Sequence, residues 1–166
     1  MTSAEPFDRY VAEHQAGLVR YAYLLCHSYA LGEDLVQEVL IRLYPRWAAL
    51  AEPHPYVMRS ITNEYLSWRR RWSTRHIQVV RDDVLHLRAA VLEPPGDGPD
   101  PELWSHLLLL PRQQRAAVVL RYYEGYGDAE IAVLLSCKPA TVRGHISRGL
   151  ATLRTALTAA EGEEQR

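Results

Sequence analysis

Near the middle of the chain, the nine residues EPPGDGPDP from Glu93 to Pro101 hold four prolines and two glycines. Proline fixes φ and removes an amide donor, and glycine is costly to order, so neither helix nor strand propagates through this stretch. It also offers no apolar surface to bury, and it reads as a flexible linker between two separately folded parts. Three helical patterns precede it and three or four shorter ones follow, while strand-like alternation persists nowhere. The predicted fold is therefore all-α, with two small helical domains. Their expected bounds are 1–80 and 102–160, with an acidic Pro/Gly-rich linker over 81–101 and a disordered tail over 161–166. A chain of 166 residues is long enough for that division.

The first pattern opens at Pro6 and places Phe7, Tyr10, Val11, His14, Leu18, Tyr21, Ala22 and Leu25 at three and four spacing, which makes one buried face. A second runs from about Gly32 to Leu50 with Leu35, Val36, Val39, Leu40, Leu43, Tyr44 and Trp47 inward. Its outer side carries Glu33, Asp34, Gln37, Glu38, Ile41 and Arg42. Pro45 falls inside this pattern and predicts a kink or an early helix end. The third starts after Pro53 and Pro55. It gathers Val57, Ile61, Tyr65, Trp68 and Trp72 on one side and Arg59, Asn63, Ser67 and Arg70 on the other. Arg69, Arg70, Arg71 and Arg75 crowd its end, either as a solvated basic terminus favoured by the helix dipole or as a phosphate-binding patch. Tyr65 and Trp68 are expected in the core, and Trp72 is left open between packing and stacking on unpaired bases.

The net charge of −1 hides a strong segregation along the chain. Residues 54–81 carry +5 and residues 111–154 carry +4, whereas the intervening 82–102 carry −5. Two basic blocks around an acidic spacer are expected of modules that touch a polyanion. Other classes find little support. The polar, acidic N-terminus lacks the basic start and apolar run of a secretion signal, and no apolar stretch approaches membrane-spanning length, so a cytoplasmic protein without membrane insertion is expected. Cys26 and Cys137 stand apart with no metal-ligand spacing, so neither a disulfide framework nor a metal site is signalled, and both are expected as small buried residues. No Gly-rich phosphate loop, HExxH pair or His-assisted nucleophile occurs, and neither catalytic residues nor cofactors are expected.

The C-terminal part carries the sharper signal. Leu103 to Leu110 reads as a short apolar helix ended by Pro111, followed by a helix through Arg121 to Glu124 that Gly125 and Gly127 break. Asp128 is expected to cap the short helix DAEIAVLL, and Ser136 and Cys137 to make a turn. Pro139 then opens PATVRGHISRGLATLRTAL, whose Val142, Ile146, Leu150, Leu153 and Leu157 form an apolar face. No acid lies between 138 and 154, against the four bases Lys138, Arg143, Arg148 and Arg154. Two helices joined by a tight turn, the second of them basic, read as a helix-turn-helix with a DNA-recognition helix.

These stretches resemble the extracytoplasmic-function (ECF) sigma factors of bacterial RNA polymerase, within them the actinobacterial sigma-E-type group. EDLVQEVLIRLYPRW at 33–47 and YVMRSITNEYLSWRRRW at 56–72 are similar to the family's region 2. LPRQQRAAVVLRYYEGYGDAEIAVLL and TVRGHISRGLATLR are similar to its region 4. The resemblance implies a region 2 helical bundle and a region 4 helix-turn-helix, and a protein that is not an enzyme but directs promoter-specific initiation by core RNA polymerase. Its implied partners are the polymerase clamp coiled coil, promoter DNA and an anti-sigma factor, if one exists.

By position, the resemblance places Asp34, Gln37, Glu38, Ile41 and Arg42 against the polymerase. It places Tyr56, Arg59, Asn63, Arg69, Arg70, Arg71 and Trp72 at the −10 element, where a flipped base needs a polar pocket and displaced phosphates need cations. Lys138, Thr141, Arg143, His145, Ser147 and Arg148 fall at the −35 element, with Arg143 and Arg148 best suited to a guanine edge or a phosphate. Thr141, His145 and Ser147 either read DNA or face solvent. Three positions depart from the family pattern: Lys138 where a capping Ser is common, Gly144 where a Ser is common, and Ser67 where many members have Asp. A helix-turn-helix regulator that binds duplex DNA without joining the polymerase is the alternative, and it has no use for the 33–47 surface or the Arg69–Arg71 cluster.

Overall fold

The computed structural model describes residues 6–72 and 105–164, with side chains described for 6–67 and 105–163. The linker expected at 81–101 and residues 165 and 166 lie outside the described residues, as do the side chains of Trp68, Arg69, Arg70, Arg71 and Trp72. Among the described residues the fold is all-α. Three helices form the N-terminal half: α1 (Phe7–Cys26), α2 (Tyr29–Leu43) and α3 (Pro53–Trp72). Three more form the C-terminal half: α4 (Arg112–Tyr122), α5 (Asp128–Leu135) and α6 (Pro139–Glu164).

Residue chemistry sets each boundary. At the end of α1, His27 takes a left-handed conformation (φ 56°), and Ser28 then opens α2 by accepting the Leu31 amide on its hydroxyl at 3.3 Å. The tight reversal brings α1 and α2 together at Gly32, where a Cβ would stand 3.1 Å from the Tyr23 backbone nitrogen. Pro45 ends α2 as expected, and the chain continues as a 3-10 segment, Tyr44–Ala49. Tyr44 itself keeps α-helical geometry, its amide bonded to the Leu40 carbonyl, and at 100° per residue it stands about 80° round the helix from Val36, at the margin of the apolar face. Trp47 is buried against Tyr10 and Phe7, but Tyr44, expected inward, is 61% exposed and only rests its ring edge on Phe7. Both Pro53 and Pro55 lie inside the first turn of α3 and not before it, because amides there have no intrahelical partner to lose.

The inward faces otherwise follow the sequence periodicity. Tyr10, Tyr21, Leu25, Val39, Val57, Ile61 and Tyr65 are all buried. One polar link is sealed inside this core. The Thr62 hydroxyl donates to the Met58 carbonyl (2.7 Å), so the Tyr21 hydroxyl, 2.8 Å away, must be the donor to Thr62. Burial raises the Tyr21 pKa far above its ordinary value, which keeps the phenol protonated. Cys26 and Cys137 are half-buried.

In the C-terminal half, α4, α5 and α6 pack on one another around Val118, Leu120, Ile131, Leu135, Val142 and Ile146. Gly127 rather than Asp128 is the N-cap of α5, and its amide donates to the Glu130 carboxylate at 2.8 Å. Asp128 occupies the first helical position instead. Its carboxylate accepts from Arg121 and, at 3.3 Å, from Arg143. The two guanidiniums draw the carboxylate away from the backbone. Ser136 makes the turn in the left-handed region (φ 53°). Helix α6 continues to Glu164, through the first part of the stretch expected as a disordered tail. The good helix formers Ala159, Ala160, Glu161 and Glu163 carry it across Gly162.

Candidate nucleic-acid interface

Three exposed polar faces sit on helices whose opposite faces are buried. On α2, burial of Leu35, Val36, Val39 and Leu40 forces Asp34, Gln37, Glu38, Ile41 and Arg42 outward, and all five are exposed. Ile41, at 72% exposure, is an apolar side chain in the midst of charge. Arg42 differs from its neighbours. It bonds Glu38 one turn back at 3.0 Å and reaches across to Glu64 on α3, also at 3.0 Å. The hydrogen bond to Glu64, more than any other influence, raises the Arg42 pKa.

Glu64 is buried, and this partner explains how α3 can carry a carboxylate on its inner side. Arg42 is thus a tie between two helices as well as a surface residue. Arg42→Ala is expected to lower stability by roughly 1–3 kcal/mol by leaving Glu64 without this partner. Glu64→Gln in the same chain should recover part of that loss, as urea titration of the parent protein and the two variants would reveal.

On α3, Tyr56, Arg59 and Asn63 are exposed on one stripe, backed by Val57, Met58 and Ile61 in the core. Ser67 follows on the same side, its hydroxyl donating to the Glu64 carbonyl at 3.2 Å. Ser67 thereby satisfies its hydroxyl within its own helix. The register of α3 carries this stripe toward Arg70.

The start of α6 supplies the third face. Lys138, Thr141, Arg143, Ser147 and Arg148 are exposed, with Val142 and Ile146 buried behind them. Arg143 is held by Asp128 of α5, which Arg121 of α4 holds in turn, and neither residue is assigned to this face by the sequence alone. No local spacing signals the contact, since the helix breaks between Arg121 and Asp128. The Arg148 guanidinium folds back over Gly144, 3.5 Å from where a Cβ would be, and lies 3.4 Å from His145 Nδ1. Gly144 thus gives Arg148 room. His145 is half-buried, and burial with Arg148 alongside lowers its pKa, so the ring is neutral at pH 7. It supports Arg148 in the free chain more than it faces solvent.

Among the described residues no group of three or more His, Cys, Asp or Glu is placed to hold a metal, and no helix is long and apolar enough to cross a membrane.

Comparison with known proteins agrees across both halves. Sigma-70 region 2 matches residues 10–75, and Sigma-70, region 4 matches residues 102–153. The chain is 32% identical to an RNA polymerase sigma-E factor of Streptomyces avermitilis, over 91% of this chain and 84% of the relative. It is 30% identical to the RNA polymerase sigma-E factor of Streptomyces coelicolor, over 92% and 86%. Among solved structures, the sigma factor RpoE from Bartonella quintana, crystallised with the anti-sigma factor NepR, shares the fold with a TM-score of 0.72 and 21% identity, covering 92% of this chain and 96% of that one. The two matched regions in this order, and relatives aligned over most of their length, establish that the chain belongs to the ECF sigma factors, RNA polymerase subunits that direct promoter-specific transcription initiation.

Proposed function

We propose that this sigma factor divides promoter initiation among its three exposed faces. Asp34, Gln37, Glu38 and Ile41 on α2 dock on the clamp coiled coil of core polymerase, and Arg42 joins them while tying α2 to α3. Tyr56, Arg59 and Asn63, continued by Arg69, Arg70, Arg71 and Trp72, read and open the −10 element. The start of α6 enters the major groove at −35, with Arg143 and Arg148 at base edges or phosphates, Lys138 on a phosphate, Thr141 and Ser147 alongside, and His145 behind Arg148. The work is apportioned between residues 1–80 and 102–160, joined through 81–101, in the cytoplasm. An anti-sigma factor is a fitting regulator, since the RpoE fold it shares was solved bound to one.

The observation that most supports this reading is the exposure of basic side chains on α6 while apolar Val142 and Ile146 are buried behind them. That leaves a groove-sized helix face free for DNA. If Arg143 or Arg148 reads a base, its replacement by Ala should cost about 1–3 kcal/mol of binding and relax preference at one −35 position. Lys138→Ala should weaken all sequences alike and reduce the salt dependence. Binding of the three variants across randomised −35 duplexes measures this, and unchanged affinity and preference in both arginine variants would refute the assigned face.

The −10 assignment has its own test. Asn63→Ala should impair transcription on closed duplex more than on a template mismatched over the −10 region, because mismatch removes an unpairing cost of about a few kcal/mol. Equal losses on both templates would reduce Asn63 to a contact that takes no part in opening.

A further inference from the structure

A line of polar contacts runs outward through the C-terminal half and ends on the face assigned to −35. Arg121, in the last turn of α4, donates from Nε to the Tyr126 carbonyl at 3.0 Å, which fixes its guanidinium, and its Nη2 donates to Asp128 Oδ1. The other carboxylate oxygen, Oδ2, accepts from Arg143 Nη1 at 3.3 Å. The side chains of Arg121 and Asp128 are 31% and 29% exposed, whereas that of Arg143 is 62% exposed. The anchored end of this line is sheltered, and its far end stands in solvent.

Asp128 is not needed as a helix cap, because Gly127 and Glu130 already fill that role for α5. It stands in the first turn of α5, where the helix dipole favours a carboxylate. Three helices thus converge on one side chain of the −35 face, and the residue between them is an acid. An acid beside DNA lowers affinity, since it repels the phosphates that dominate binding. Nor does an ion pair with so exposed a partner add much to stability.

What Asp128 supplies is direction. The guanidinium of Arg143 has five N–H donors in a planar fork, and Asp128 engages only Nη1. Nε and Nη2 are left to meet two acceptors side by side, as on the O6 and N7 edge of guanine. A phosphate accepts from an arginine in many orientations and gains nothing from a neighbouring carboxylate. A base edge demands one orientation, and a side chain already held in it loses less freedom on binding. Arg148 is the contrast on the same helix. Among the described residues no carboxylate meets it, and its guanidinium lies over Gly144, 3.4 Å from His145 Nδ1.

We propose that Asp128, anchored by Arg121, is a positioning residue for −35 recognition. It turns the Arg143 fork toward a guanine edge and so raises sequence preference while lowering general affinity for DNA. This role rests on the assignment of α6 to −35, which Arg143→Ala tests by itself.

The experiment measures binding of the full-length chain to duplexes randomised over the −35 element and to one scrambled duplex. Asp128→Ala should cut the guanine preference at the position read by Arg143 about fivefold. The same variant should bind the scrambled duplex about twofold more tightly, because a repelling charge has gone. Preference is a ratio of affinities, so a partial loss of folded protein leaves it unchanged. In double-mutant cycles, Asp128→Ala should lose its effect on preference once residue 143 is Ala, yet remain additive with Arg148→Ala. Unchanged preference in Asp128→Ala, beside an Arg143→Ala that loses it, would overturn the positioning role and spare the −35 assignment. Additivity with Arg143→Ala would overturn it as well, and an equal change in affinity on every duplex would reduce Asp128 to a repelling charge or a structural tie. Unchanged preference in Arg143→Ala itself would remove the base contact, and the role of Asp128 with it.

Discussion

Replacing Asp34, Gln37, Glu38 and Ile41 together by Ala should weaken binding to core RNA polymerase by about 100-fold, close to 3 kcal/mol, with little loss of fold. All four are exposed, and their removal leaves the inward row of Leu35, Val36, Val39 and Leu40 untouched. The change sacrifices the Glu38–Arg42 pair, whose side chains are 52% and 45% exposed. Such a surface pair contributes roughly 0.3–0.5 kcal/mol, and Ala is itself the best helix former, so the urea midpoint should barely move. Arg42 is deliberately retained, because its bond to Glu64 would mix a stability effect into the result. The measurement is equilibrium binding to purified core enzyme beside urea unfolding of the same variant. Unaltered affinity would remove α2 from the polymerase interface, and a large stability loss would show that the face is structural.

This face is legible in the sequence because α2 is regular, so burial of one side determines the other. Its end is legible too, as Pro45 deletes a helical hydrogen bond wherever it stands. The inward expectation for Tyr44 fails one residue earlier: its amide still bonds the Leu40 carbonyl as in an α-helix, and about 80° round from Val36 it lies at the margin of the apolar face, where an apolar residue type does not ensure burial. Asp128 suits a cap by residue type. Gly127 and Glu130 take that role instead, and two arginines from other helices take the carboxylate. The contacts of Arg115 with Leu25 and of Arg112 with Tyr65 leave no trace in local pattern. Their partners are backbone carbonyls, identical at every position, and lie 90 and 47 residues away. Helix faces are local properties, whereas the closure of one half on the other is a property of the folded chain alone.

Gly149 offers the sharpest separation of the two halves. It is buried in α6 where that helix crosses α4, and a Cβ there would stand 3.0 Å from Val118 Cγ2 and 3.5 Å from Leu110 Cδ1. Glycine inside a helix costs about 1 kcal/mol relative to alanine, so close approach of the helices is what the residue supplies. Gly149→Ala should be nearly neutral, its propensity gain offsetting the crowding of one methyl. Gly149→Val adds two further methyls against Val118 and Leu110 and should cost about 3 kcal/mol. If Arg143 and Arg148 face DNA as proposed, the packing of α6 on α4 and α5 is what positions them, and −35 duplex binding should collapse with it. Polymerase binding through α2 should persist. Val118→Ala in the same chain makes room for the added methyls, and the pair should be less damaging than the sum of the single changes by about 1 kcal/mol or more. Strict additivity in that double-mutant cycle, or normal −35 binding by Gly149→Val, would show that the α4–α6 crossing does not position the recognition helix.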